Sequence, residues 1–307
     1  METKNILKIE NLTKTYKHTN VLNNISISLE EGKIYGLIGL NGAGKTTLLK
    51  AIAGFIKPSC GEISIFGESG ETNLKKQRTK IGCFIESSGI YPNMTAQENI
   101  DLHRTLKGIP NEEITDELIE RVNLKDIKDK KVKEYSLGMK QRLGIAIALI
   151  GNPEFLILDE PINGLDPVAI IEVRNMLKKL SEEKNITVFI SSHILSELYS
   201  LASDYIIIHK GEIKEQITSE ELDEKCRKHI LLKSNEPEKM AYVIENNLKS
   251  RNYVVMPDKS IQLYDYMDNT EKVAKTFMDE RVLLTNLSCE GDSLEDYFVN
   301  AVGGKNV

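Results

Sequence analysis

The run Ile34-Tyr35-Gly36-Leu37-Ile38-Gly39-Leu40-Asn41-Gly42-Ala43-Gly44-Lys45-Thr46 decides how the rest of the chain is read. Ile34–Ile38 is a short apolar stretch of the kind that forms a strand buried on both faces. It runs straight into residues 39–46, which fit the phosphate-loop pattern G-x-x-x-x-G-K-S/T. Gly39, Gly42 and Gly44 permit sharp turns, so that backbone N–H groups converge on phosphate oxygens. Thr46–Ala53 has helical composition, and the positive N-terminal end of that helix faces the same anion. Lys45 brings a full charge toward the β- and γ-phosphates, and Thr46 offers a hydroxyl to Mg²⁺.

Outward from this loop the chain reads as α/β. Ile6–Ile9 and Ile25–Leu29 suggest early strands, and Glu62–Phe66 a hairpin-like piece between glycines. From Glu86 to Ile150 the composition is helical, with Leu143, Ala146, Ile147 and Ile150 forming an i, i+3, i+4, i+7 stripe. Phe155–Leu158, Thr187–Ile190 and Ile206–Ile208 are further buried strands, which predicts a mostly parallel sheet with an inserted helical subdomain at about 86–150. Beyond residue 217 the order β-α-β-β-α-β is read from His229–Lys233, Glu236–Leu248, Tyr253–Met256, Ile261–Tyr264, Glu271–Met278 and Arg281–Leu287. That order predicts a small ferredoxin-like α+β domain over 218–307, after a first domain over 1–217.

Composition excludes several classes. The 307 residues carry 40% hydrophobic and 28% charged side chains and a net charge of −6, which argues against nucleic acid as a partner. The four cysteines, Cys60, Cys83, Cys226 and Cys289, form no C-x-x-C pair, so free thiols are expected rather than zinc or disulfides. No apolar run approaches the roughly 20 residues that span a bilayer. Membrane contact is therefore expected only through a partner.

Two further stretches carry chemistry. Phe155–Leu158 ends on Asp159-Glu160, and adjacent carboxylates at the end of a buried strand are costly unless something pairs them. Mg²⁺ held by Asp159 opposite Thr46 supplies that pairing, and Glu160 is then placed to orient the water that attacks the γ-phosphate. Tyr135-Ser136-Leu137-Gly138-Met139-Lys140-Gln141-Arg142 opens an amphipathic helix, with Ser136 as N-cap and free N–H groups behind it.

Taken in order, these motifs resemble the ATPase subunit of ABC transporters over about residues 6–215. The resemblance implies the P-loop ABC ATPase fold with N-terminal antiparallel strands, and ATP and Mg²⁺ as ligands. It extends the nucleotide-contacting loop from Gly39, Leu40, Asn41, Gly42, Ala43, Gly44, Lys45 and Thr46 to Thr47. Ser136 and Gly138 match the family's signature, which reaches the γ-phosphate held by an opposite subunit. Tyr16 matches the aromatic residue that stacks on adenine, Gly164-Leu165-Asp166 the D-loop, and His193 the switch histidine. Two departures stand out: Leu137 and Met139 within the signature, and Glu86 where most members carry glutamine. A carboxylate at 86 can still ligate Mg²⁺ or the attacking water, at the cost of negative charge near the γ-phosphate.

Glu86, the phrase Ile90–Asn99, and the ending Ser293–Phe298 followed by Gly303-Gly304 resemble the bacitracin-resistance and lantibiotic-immunity subgroup. The resemblance implies a homodimer, or a pair with a related ATPase subunit, lying at the cytoplasmic face of the membrane. There it would power a separate transmembrane permease. A nucleotide-gated regulatory module with little transport is the alternative that Glu86 and the altered signature leave open.

Overall fold

The computed structural model describes residues 4–86, 89–291 and 293–302. Gly303-Gly304 and the pair Ser87-Ser88 next to Glu86 lie outside the described residues. The chain divides into two compact units, one holding the described residues through Ser219 and those from Asn300, the other Glu220–Val299.

In the first unit, β1 (Asn5–Tyr16) and β2 (Thr19–Glu30) pair antiparallel and are far longer than the apolar cores Ile6–Ile9 and Ile25–Leu29 suggest. Only one face of this sheet is buried, so the ends alternate with polar residues and lose the apolar signal. β3 (Ile34–Ile38) is buried throughout, and α1 (Lys45–Ala53) follows it. β4 (Cys60–Ile65) pairs with β1 and turns into the two-residue β5 (Glu68–Ser69). Phe66 and Gly67 both take positive φ, 53° and 78°, at this two-residue turn, a geometry that suits the strand twist. α2 (Glu71–Gln77) leads to β6 (Ile81–Phe84).

Between β6 and the next strand lie α3 (Ala96–Leu106), α4 (Glu113–Arg121) and α5 (Leu137–Ala148). The helical stretch expected from Glu86 thus starts as α-helix only at Ala96. There Thr95 accepts the Glu98 N–H and the Glu98 carboxylate accepts the Thr95 N–H, a reciprocal cap. The predicted α5 stripe is incomplete: Gly144 and Ile145 are buried while Ile147 is only half-buried. Gly144 lies under the Phe84 ring and Gly82 against the Ala148 carbonyl, so α5 packs directly on β6 where a Cβ would collide.

β7 (Phe155–Asp159), α6 (Pro167–Lys184), β8 (Thr187–Ser192), α7 (Leu195–Tyr199), β9 (Asp204–His209) and β10 (Glu212–Thr218) complete this unit. The six-stranded sheet runs β10-β9-β3-β8-β7-β6, parallel except for the antiparallel edge strand β10. One buried core joins this sheet and the antiparallel one, and includes Leu48, Leu49 and Ile52 of α1 together with Leu7, Ile25, Phe155 and Phe189.

The second unit contains most of α8 (Ser219–Cys226), then β11 (His229–Ser234), α9 (Pro237–Asn246), β12 (Tyr253–Val255), β13 (Ile261–Leu263), α10 (Thr270–Asp279), β14 (Leu284–Glu290) and most of α11 (Leu294–Ala301). Its antiparallel sheet has the order β12-β13-β11-β14, and its core centres on Ile230, Leu232, Ile244, Leu263, Val273 and Phe277. This is the connectivity of a split β-α-β unit. β14 begins three residues later than the expected Arg281, because Arg281 takes φ 56° and Val282 still donates to the Phe277 carbonyl at the end of α10.

Candidate functional site

The carboxyl ends of β3, β8 and β7 lie side by side, with Ile38 opposite Ser192 and Asp159 opposite Ser191. In a parallel sheet this rim is where ligands bind. The phosphate loop leaves β3 here. Gly44 takes φ 109°, and a Cβ on it would come within 3.0 Å of the Val21 carbonyl, so only glycine suits the last turn before α1.

Lys45, only 6% exposed, donates from Nζ to the Gly39 carbonyl at 2.6 Å and pairs with Glu160 Oε1 at 3.1 Å. Glu160 has φ 50°, which turns it out of the strand direction set by Asp159. Its other oxygen, Oε2, meets His193 Nδ1 at 2.9 Å. Lysine, glutamate and histidine thus form one continuous polar chain across the mouth of the loop.

Asp159 is held on both sides by hydroxyls: Thr46 donates to Oδ2 at 2.7 Å and Ser191 to Oδ1 at 2.5 Å. Among the described residues no lysine or arginine pairs with it. A half-buried carboxylate flanked by hydroxyl oxygens and lacking a basic partner is a hard-cation donor set, and it fits Mg²⁺. No group of three or more His, Cys, Asp or Glu that could hold a metal occurs among the described residues. Mg²⁺ here would therefore rely on Thr46, Asp159, phosphate oxygens and water.

Ser191 drew no role from the sequence, yet it links both acids, since its Oγ also accepts the Glu160 N–H at 2.9 Å. Its signal was faint: a serine one position from the end of a buried strand. Glu197 is a second such residue. Ser192 donates to it at 3.2 Å, and burial pushes its carboxyl above the ordinary range, with Glu160 adding to the rise and Ser192 and His193 opposing it.

Glu86 belongs to the same rim by register, since β6 and β7 are parallel with Phe84 opposite Leu158. Its carboxylate accepts from Lys50 Nζ at 2.6 Å and not from Thr46, which is bonded to Asp159 instead. Leu40, Asn41 and Gly42 are exposed on the outside of the loop, while Ala43 is buried beneath it and Thr47 half-buried. Tyr16 stands 46% exposed at the end of β1, with Lys14 over its ring at 4.8 Å.

Ser136, Gly138 and Asp166 form a separate cluster. Ser136 caps α5 by accepting the Met139 N–H at 3.3 Å, and Asp166 caps α6 through Val168 and Ala169, both at 3.0 Å. A Cβ on Gly138 would touch Ala169 at 3.1 Å, so the two helix starts are packed together. No hydrogen bond among the described residues ties this cluster to the phosphate loop of the same chain.

A parallel sheet with a phosphate loop at its central strand and paired acids on a neighbouring strand defines a P-loop nucleoside triphosphatase. The known proteins narrow that class. A family model described as "ABC transporter" matches residues 22–163. The bacitracin transport ATP-binding protein BcrA of Bacillus licheniformis is 41% identical over 302 residues, covering 98% of this chain and 99% of the relative. The lantibiotic transport ATP-binding protein SrtF of Streptococcus pyogenes is 44% identical over 229 residues, 74% of this chain and 98% of that one. The dimeric post-hydrolysis structure of the ATP-binding cassette MJ0796 bound to ADP and Pi superimposes with a TM-score of 0.63 at 29% identity, covering 69% of this chain and 98% of the cassette. The chain belongs to the ABC transporter family, as an ATP-binding subunit. Its reaction is the family's hydrolysis of ATP, with Mg²⁺. None of these similarities favours a purely regulatory role.

Proposed function

We propose that this chain hydrolyses ATP to drive export of, or resistance to, antimicrobial peptides such as bacitracin or lantibiotics, through a separate membrane-spanning subunit. The observation that carries the substrate class is the near-complete alignment with a bacitracin transport ATP-binding protein, which includes the C-terminal unit as well as the cassette. Among the described residues no helix is long and apolar enough to cross a membrane, in keeping with a partner that supplies the path.

In this reading the loop residues Gly39–Thr47 wrap the triphosphate, and Lys45 exchanges its contacts with Gly39 and Glu160 for phosphate oxygens. Thr46 and Asp159 would hold Mg²⁺, which would supply positive charge to neutralise the phosphates. Glu160 orients a water and takes up its proton as the new bond to the γ-phosphorus forms and the bond to the β–γ bridging oxygen breaks. His193 fixes the Glu160 carboxylate by their contact. Tyr16 stacks on the adenine, and Glu86 faces the metal or the attacking water from the adjacent strand end.

Ser136, Gly138 and Asp166 serve the site of a second chain. The exposed start of α5, with Leu137 48% exposed, offers N–H groups that its own phosphate loop does not use. A head-to-tail pair of such chains brings each α5 start to the other's triphosphate. A known cassette of this fold is dimeric with ADP and Pi bound, which supports that arrangement.

The test uses the chain copurified with its permease and its Glu160→Gln variant. ATP binding should persist and turnover should nearly vanish; undiminished turnover removes Glu160 from its role. In a sensitive bacterial host, the active pair should raise the tolerated concentration of bacitracin or a lantibiotic. An active ATPase that protects against neither refutes the substrate class.

A further inference from the structure

Two acids on the rim of the phosphate site take a lysine partner from α1. Lys45 pairs with Glu160 at 3.1 Å, and Lys50 pairs with Glu86 at 2.6 Å. Lys50 stands four residues beyond Thr46, so the two side chains share one helix face. Thr46 is itself bonded to Asp159. Glu86 follows β6, the edge strand beside β7. β6 runs parallel to β7, which brings residue 86 out of the sheet level with Glu160. Its φ of 56° then turns the chain there, a conformation uncommon outside glycine and asparagine. The ion pair thus ties the Glu86 carboxylate to a lysine that stands one helical turn beyond Thr46, whose hydroxyl meets Asp159.

That carboxylate has a drawback that an amide in its place lacks: it repels a polyanionic ligand. A cation fixed on it cancels this charge at short range. The pair contributes little to folding, because Lys50 is 29% and Glu86 59% exposed, and solvent screens such contacts. Its consequence lies beside the phosphates.

We propose that Lys50 is a positioning residue for hydrolysis, holding and neutralising Glu86, and that the chain depends on Lys50 because residue 86 is glutamate. The inference rests on the reading of Glu86 as a residue of the ATP site.

A double-mutant cycle on the full chain with its permease tests it: wild type, Lys50→Met, Glu86→Gln and the double variant, each assayed for kcat/KM of Mg²⁺-ATP hydrolysis. Lys50→Met should lower kcat/KM about fivefold beside Glu86 and change it by less than about 1.5-fold in the Glu86→Gln background. An equal loss in both backgrounds, or no loss in either, overturns the proposal. Melting temperatures of the four chains should agree, and a lower value for Lys50→Met in both backgrounds marks a merely structural lysine and overturns it as well. A Glu86→Ala chain that turns over like the wild type removes Glu86 from the site, which refutes the underlying reading separately from the ion pair.

Discussion

Ser191→Ala should damage the site more than any other substitution that leaves the recognisable motifs intact. The side chain is fully buried, and one oxygen serves two bonds, donating to Asp159 Oδ1 at 2.5 Å and accepting the Glu160 N–H at 2.9 Å. Alanine removes a hydrogen bond to a charged group, about 1.5–3 kcal/mol, and leaves a backbone N–H without its partner, about 1–3 kcal/mol. The two losses share one atom and do not simply add, so a stability loss of about 2–4 kcal/mol is expected. The kinetic effect follows from position. Both acids lose the bond that fixes them across the strand pair, and a displacement of about 1 Å at a reacting group can cost about a hundredfold. Single-turnover hydrolysis should therefore fall about ten- to hundredfold, while affinity for ATP, set mainly by the loop and Lys45, changes less than about threefold. Urea unfolding, nucleotide binding and single-turnover rates on the same preparation separate these quantities. Ser191→Thr keeps the hydroxyl and should recover most of the rate. A Thr variant as slow as the Ala variant would show that space rather than the hydroxyl matters, and an Ala variant with wild-type turnover would refute the argument outright.

Two further outcomes follow from perturbed groups. Burial, partly opposed by Lys107 and Arg78, pushes the Cys83 thiol up to about 12. At pH 8 an alkylating reagent should therefore modify the exposed Cys60 and Cys289 and spare Cys83 until the protein unfolds, as peptide mass mapping would show; labelling of Cys83 at the Cys60 rate would contradict this. In the second unit, the Ser260 hydroxyl, the Ser260 N–H and Lys233 hold the Asp258 carboxyl down to about 2. A depressed acid stabilises the fold above its unfolded value, about 3.9, and that contribution fades as pH falls toward 2. Asp258→Asn should lower the melting temperature at pH 7, with the gap to wild type starting to close below about pH 4; a gap independent of pH would place the effect elsewhere.

Which parts of the molecule could be read from sequence depends on how far apart the constraining residues lie. β3 was legible to its exact ends because all five residues are buried, and residues 39–46 because phosphate chemistry dictates a local pattern. Ser136 was legible as a cap because its bond reaches only to Met139. β10 was missed, since Glu-Ile-Lys-Glu-Gln-Ile-Thr is an edge strand with a polar outer face and little apolar signal. The late start of β14 escaped for a different reason, a left-handed Arg281 that no residue preference announces.

The same rule divides the site. Lys45, Asp159 and Glu160 announce themselves within their own segments, and His193 only through the family resemblance, but the bonds that fix such groups run between segments: Thr46 to Asp159, Ser191 to both acids, and Lys50 to Glu86. These contacts depend on the parallel register of β6, β7 and β8 and on the placement of α1 beside β7. Serine and lysine are common enough that neither stands out before that register is known. Reaction chemistry is therefore written locally in this chain, whereas the positioning of its reacting groups is a property of the sheet.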